Sequence, residues 1–317
     1  MSSDLAAAKP GIPRNPNAKA LDPFHGVDFS KMERSLRRPR TFMSMLFTVI
    51  VSAMTLFALI PLFSVLWLLV WRGGRRLSIA AFTQLPPAPL EQSGGFGNAI
   101  VGTLAICGMA LLISLPIGLL SAIFLAQAKP DNRLASSVRF AGKVLTGFPS
   151  ILAGVFAYGV VVMATGGYSA LAGAVALSIL MLPTILLTSE DAIRMVPERM
   201  KEAAIGMGAT DTQTVWMVLL PTAVPRILTG VMLAIARAAG ETAPLLFTAL
   251  FSNYWLLWHG HVKLMQPTAS LAVLIYNFAG MPFANQVELA WAAALVLVVM
   301  VLIANLIGQS LASRQVQ

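Results

Sequence analysis

Charge is scarce in this 317-residue chain. Asp, Glu, Lys and Arg together make up 11% of it, against 57% apolar residues, and an ordinary soluble domain carries roughly 25% charge. With a mean hydropathy of +0.77, lipid is the expected solvent, because several uncharged runs exceed the roughly 20 apolar residues that a helix needs to cross a bilayer. Cysteine is nearly absent too. The lone Cys107 excludes an internal disulfide and, set among Ile106, Gly108 and Met109, reads as a packing residue. No nucleotide-binding loop is present: Gly206-Met207-Gly208 lacks the lysine of G-x-x-x-x-G-K-[ST]. Gly95-Phe96-Gly97 is followed by Ile100 where a dinucleotide fingerprint needs its third glycine. Nor do the apolar runs hold a cluster of His, Asp or Cys, which argues against a membrane-embedded enzyme.

What is present is a series of apolar runs behind a basic tail. Residues 1–40 carry Pro10, Pro13, Pro16, Pro23 and Pro39 among polar neighbours with no periodic apolar face, and are expected to form a mobile tail. A secretory signal would place a short apolar core near the start, whereas the first apolar run covers 42–70 and reads as an uncleaved span. Further runs cover 97–126, 142–163, 168–188, 225–251 and 288–311. The third and fourth are separated by Thr165, Gly166 and Gly167. The expected fold is an all-α integral membrane protein of about six transmembrane helices, with 41–317 as the membrane domain. Gly102, Gly108, Gly118, Gly154, Gly173 and Gly230 are expected at close helix contacts, and Pro116, Pro149 and Pro183 at kinks inside spans.

The net charge of +9 does not point to nucleic acid, because of where the charge sits. Lys9, Arg14, Lys19, Lys31, Arg34, Arg37, Arg38 and Arg40 are in the tail. Lys129, Arg133, Arg139 and Lys143 fall in the second loop, and Arg194, Arg199, Lys201 and Arg226 in the fourth. Arg314 is on that same side, while Arg72, Arg75, Arg76 and Lys263 lie on the other. Both termini are therefore expected in the cytoplasm. Trp255, Trp258, His259 and His261 follow the fifth run and suit an interfacial anchor better than a metal site, since His-Gly-His has no third ligand nearby.

The stretch 190–225 has the pattern of two short helices. Pro197 suits a first helical position, Gly206 and Gly208 stop the first helix, and Thr210 with Gln213 forms a capping box for a second running to about Leu220. Pro221 and Pro225 are expected to close the unit. Within it, Glu202-Ala203-Ala204, Gly208, and Val218-Leu219-Leu220-Pro221 resemble the cytoplasmic EAA signature of ABC-importer permeases, with Val218 where isoleucine is usual. Gly147-Phe148-Pro149-Ser150-Ile151, Ala236-Arg237-Ala238-Ala239-Gly240-Glu241-Thr242-Ala243-Pro244-Leu245-Leu246-Phe247-Thr248 and Gln266-Pro267-Thr268-Ala269-Ser270 resemble the permease subunits of phosphate-specific ABC importers.

That resemblance implies type I ABC-importer permease architecture in a bacterial inner membrane. It makes Glu202, Ala203, Ala204, Gly208, Leu220 and Pro221 a coupling element for a separate ATPase. The implied partners are a second, related permease subunit, two ATP-binding subunits that hold ATP and Mg, and an external phosphate-binding protein. No cofactor is expected on this chain.

Arg237 and Glu241, four apart, would share one helix face. An unpaired charge at a helix centre costs roughly 2.5 to 3.5 kcal/mol on insertion scales. The pair reads either as a structural ion pair or as an anion site, with Arg237 as a donor fork, Glu241 as acceptor and Thr242, with Thr248, adding hydroxyls. A permease for sulfate, molybdate or phosphonate is the alternative within the class. An ion-coupled secondary transporter would leave the EAA loop unexplained.

Overall fold

The computed structural model describes residues 39–91, 93–129, 131–258 and 261–314. The tail expected over 1–40 lies outside these apart from its last two residues. The chain divides into two compact units, residues 1–63 and 64–317. In the first, the described residues belong to helix α1 (Pro39–Leu68). Its side chains, Phe47, Met54 and Phe57 among them, are exposed. Thr48 and Thr55 donate their hydroxyls to the carbonyls of Ser44 and Val51, which lets a hydroxyl sit on an apolar helix without an unmet donor.

The second unit takes the chain through a π-helical turn (Leu69–Gly73), α2 (Ile79–Thr83) and α3 (Gly97–Gln127). Then come α4 (Arg133–Thr146), α5 (Ser150–Ala157), a second π turn (Tyr158–Val162) and α6 (Met163–Thr165). Helix α7 (Ala170–Arg194) leads into α8 (Glu198–Gly206), α9 (Asp211–Thr214), a third π turn (Val215–Leu219) and α10 (Leu220–Ala239). After α11 (Ala243–Leu246), a two-residue antiparallel pairing of β1 (Leu257–Trp258) with β2 (His261–Val262) sets Leu257 against Val262 and Trp258 against His261. Helices α12 (Leu271–Ala279) and α13 (Ala284–Arg314) complete it. Among the described residues, five helical stretches are long and apolar enough to cross a membrane, and α4 with α5–α6 makes a sixth if that bent pair counts as one span.

Helix α7 is the centre. It buries 67% of its apolar window against 17% for α13, packs on α3, α10, α4 and α5, and is rich in small residues such as Ala172, Gly173, Ala174 and Ala176. Ile106, Leu177, Met181, Ile185, Ile227 and Val231 form the main core, with Cys107 buried beside them. Phe96, Leu271, Leu274, Phe278 and Leu289 form a second core. Backbones approach closely where side chains are smallest: a Cβ on Gly230 would overlap the Thr188 side chain. Gly108, expected at such a contact, faces open space instead.

Three expectations need correction. The third run, 142–163, is not one straight helix: the chain turns by 106° between α4 and α5. Pro149 caps α5 instead of kinking a span; α4 already ends at Thr146 with Gly147 as its cap, and Phe148, as the residue before a proline, is disfavoured from continuing it. Secondly, Pro221 and Pro225 do not close the coupling unit. The third π turn passes the Leu220 N–H to the Val215 carbonyl, a register shift just before a residue with no N–H to give. Helix therefore runs unbroken over Asp211–Ala239. Thirdly, the fifth run does not stay helical to 251, because α10 ends at Ala239.

Candidate functional site

The loop between α7 and α10 is built from local signals. Pro197 is the N-cap of α8, one position before that expected, and Glu198 lies in the first turn, where an acid suits the helix dipole. Lys201 approaches Glu198 at 3.5 Å. At the other end, Gly208 donates its N–H to Ile205 O at 2.9 Å and Ala209 donates to Ala204 O at 3.0 Å. This is the Schellman pairing, and it needs a left-handed residue. Gly208 supplies it with φ +87. A Cβ there would meet nothing within 4 Å, so the glycine answers to backbone geometry within this chain. The capping box forms: Gln213 N–H reaches Thr210 Oγ1 at 3.3 Å, and Thr210 N–H reaches Gln213 Oε1 at 2.9 Å.

Of the EAA residues, Ala204 is buried and Glu202 and Ala203 are exposed; Leu220 is buried and Pro221 exposed. Around them Met200, Ile205, Met207, Trp216 and Met217 expose large apolar surfaces, a concentration that marks contact surfaces.

A second element lies at the far end of the same continuous helix. Gly240 caps α10, and Glu241 donates its N–H to Ala238 O at 3.2 Å, just past the helix end. Arg237 Nε is 3.6 Å from Glu241 Oε1, with the arginine side chain 42% exposed and the glutamate 18%. The distance exceeds hydrogen-bond range. A carboxylate beside the last carbonyls of a helix also opposes its dipole, so Glu241 does not sit there for the stability of α10.

Thr242 is half-buried at the N-cap of α11. Thr248 is fully buried, and its hydroxyl donates to Pro244 O at 2.8 Å, which removes it from the set of anion donors. Pro244 in turn presses on α5: a Cβ on Gly154 would lie 2.6 Å from Pro244 Cα. The two interrupted helices thus meet.

Backbone hydrogen bonds hold this break in place. Ser169, Ala170 and Leu171, at the start of α7, donate to Thr248, Gln266 and Leu264 carbonyls at 2.9, 3.2 and 3.2 Å, and Thr268 donates to Ala249 O at 3.0 Å. Leu271 N–H is accepted by Thr103 Oγ1 at 2.9 Å. The carbonyls of Thr248, Leu264 and Gln266 therefore satisfy N–H groups at the start of α7, and Thr103 satisfies one at the start of α12. Of the aromatic and histidine residues after the fifth run, Trp258 and His261 pair in the hairpin; His259 lies outside the described residues. Among the described residues no three His, Cys, Asp or Glu converge as a metal site.

One cluster escaped the sequence reading. Glu190 Oε1 accepts from Arg139 Nε at 3.0 Å, Arg139 Nη2 at 2.7 Å and Arg194 Nε at 2.9 Å, and Arg194 Nη2 donates to Leu125 O at 2.9 Å. It ties the ends of α3 and α7 to α4, three residues before α8's cap. Glu190 and Arg194 read as loop charges because Arg139 is 51 residues away.

Comparison with known proteins agrees with this geometry. Residues 114–317 match the family "Binding-protein-dependent transport system inner membrane component". The chain is 38% identical over 261 residues to the phosphate transport system permease protein PstA of Yersinia pestis, covering 82% of this chain and 87% of that protein. It is 41% identical over 251 residues to PstA of Haemophilus influenzae, covering 78% and 87%. Among solved structures, it resembles a chain of a bacterial alginate ABC transporter with a TM-score of 0.61 at 15% identity, covering 88% and 98%. It resembles a chain of the MetNI methionine ABC transporter with a TM-score of 0.53 at 20% identity, covering 69% and 93%. The fold is thus that of ABC-importer chains, and the protein belongs to the binding-protein-dependent transport system inner membrane components, among the PstA-type permeases.

Proposed function

We propose that the chain is the permease subunit of an ATP-driven phosphate importer of the inner membrane, with both termini cytoplasmic. Bringing an anion into a negative interior costs about 2.3 kcal/mol per charge per 100 mV, so uptake must be driven. This chain has no ATP-binding loop, and the reading gives ATP and Mg to two partner subunits. A second permease completes the pathway, and an external phosphate-binding protein delivers the anion. Identity of 38–41% to two PstA proteins, over 78–82% of the chain, is the observation that carries this.

In the mechanism that follows, Glu202, Ala203, Ala204 and Gly208, with the exposed Met200, Ile205 and Met207, dock on the ATPase. Displacement passes along Asp211–Ala239, 29 residues and so about 43 Å of helix, through Leu220 and Pro221, to the break at Gly240. There Arg237 offers an in-plane donor fork to the anion, Glu241 offsets its charge so that release remains fast, and Thr242 lines the turn. The chain performs no catalysis of its own.

The test is ATP-dependent phosphate uptake by the importer reconstituted with this chain, with sulfate, molybdate and phosphonate as competitors. Uptake that only phosphate blocks is the expected result; equal block by another oxyanion would overturn the substrate. For topology, a reporter active only outside the cell should be silent when fused at Gln317 and active near Gln266, and the reverse would overturn the orientation.

A further inference from the structure

The arginines placed outside by this topology are unusual, since translocated loops normally avoid them. Arg72 and Arg75 are exposed, and each places its guanidinium carbon over an indole ring. Arg72 Cζ is 5.5 Å from the centroid of Trp291 and Arg75 Cζ is 4.3 Å from that of Trp71. Trp71 stacks on Trp67 at 6.0 Å and 15°. A cation–ring contact uses none of the guanidinium N–H groups as hydrogen-bond donors to the ring plane's edge, so they stay available to an anion.

The π turn that carries Arg72 is clamped on α13. A Cβ on Gly73 would lie 2.6 Å from Trp291 O and 3.0 Å from Leu295 Cβ. Below this rim runs a groove of about 400 Å³ lined only by apolar residues, among them Leu77, Phe82, Ile100, Leu295, Val299 and Ile303. From Leu295 to Ile303 it follows α13 for about 12 Å, most of the depth of one leaflet of a hydrocarbon core about 30 Å thick.

A cationic rim at an aromatic belt over an apolar slot of leaflet depth matches one amphiphile. We propose that the groove binds an anionic phospholipid of the outer leaflet, one acyl chain lying along Leu295–Val299–Ile303 and the headgroup phosphate accepting from Arg72 and Arg75. Trp291 and Trp71 hold the donors ready, and the lipid anchors the end of the first span to α13. Charge complementarity selects a lipid over a second protein helix, which would need acidic residues opposite the same rim.

The test uses the assembled importer in neutral detergent, with bound lipid measured by native mass spectrometry after exposure to equal phosphatidylglycerol and phosphatidylcholine. Each interfacial arginine contributes about fivefold, so wild type should retain phosphatidylglycerol about 30-fold over phosphatidylcholine. Arg72→Gln with Arg75→Gln should bring the ratio near one while the complex stays assembled. Leu295→Trp with Val299→Trp, which fills the slot, should lose both lipids. Millimolar inorganic phosphate should not displace phosphatidylglycerol. Equal retention of the two lipids by wild type, no retention because a partner helix fills the groove, persistence of the preference without the arginines, or displacement by phosphate would each overturn the proposal.

Discussion

Glu190 and Glu241 each face an arginine four positions away in sequence, yet the two pairs do opposite things. Glu190 is 4% exposed and accepts from two arginines at 2.7 to 3.0 Å. Glu241 is 18% exposed and stands 3.6 Å from one arginine that is itself 42% exposed. In the first, Arg194 lies in the last turn of α7, where its charge suits the helix dipole; in the second, the carboxylate sits at the wrong pole of α10. Spacing makes the pairs equivalent, and tertiary partners separate them. A carboxylate already held by two arginines, with three bonds on Oε1, is committed to the fold, whereas a loose pair leaves donor capacity open.

The strongest way to break this comparison is Glu190→Ala. It leaves Arg139 and Arg194 without their shared carboxylate, and because their side chains are 32% and 47% exposed the cost falls below the roughly 3 kcal/mol of a fully buried pair. The assembled importer should lose thermal stability, measured by its Tm in detergent, while uptake per assembled complex is kept. A drop in uptake with unchanged Tm would place Glu190 in the transport step and erase the distinction.

Next is the exchange of partners. Arg237→Glu with Glu241→Arg keeps a loose pair but shifts the guanidinium by about 5.4 Å along the axis. Assembly should survive and phosphate uptake should fall by about 10- to 100-fold, the loss of one charge-assisted contact. The same exchange at Glu190 and Arg194 should instead reduce the assembled complex, because Arg139 would face a second arginine. Uptake near wild type for the first exchange would make Arg237 and Glu241 a structural pair.

The smallest expected effect sharpens the contrast between local geometry and docking. Gly208→Ala forces a Cβ into a left-handed position, at about 1 kcal/mol, without meeting any atom of this chain. Gly208→Asn should cost less, since asparagine tolerates that region. If both reduce ATP-coupled uptake to the same extent while the ATPase stays bound, the closeness of the partner surface, not φ, sets the requirement; uptake that follows the φ cost indicates the reverse.

Much of the fold was readable because its signals are local. The capping box at Thr210 and Gln213, the left-handed stop at Gly208 and the apolar length of α3 and α13 each depend on neighbours a few residues away. What escaped depends on distance or on backbone register. Glu190 could not be ranked above any other loop acid without Arg139 beside it. Pro221 and Pro225 read as terminators because proline lacks an N–H, and the π turn that absorbs the mismatch has no side-chain signature. The turn between α4 and α5 was hidden because apolar residues continue through it, while Gly147-Phe148-Pro149 holds the local sign. At the candidate site, Arg237, Glu241 and Thr242 were legible as types, but the looseness of the pair and the engagement of Thr248 with Pro244 were not.

Unbroken helix from Asp211 to Ala239 has a rotational meaning. Each residue advances the azimuth by about 100°, so the direction in which Arg237 points is set by the count of residues between it and the cap at Thr210. One alanine inserted before Pro221 would swing the guanidinium through more than a quarter turn while lengthening the rod by about 1.5 Å. Seven inserted residues would nearly restore its heading at about 10 Å of extra length. The connecting helix thus acts as a keyed shaft, in which angular phase as well as length is specified by the sequence.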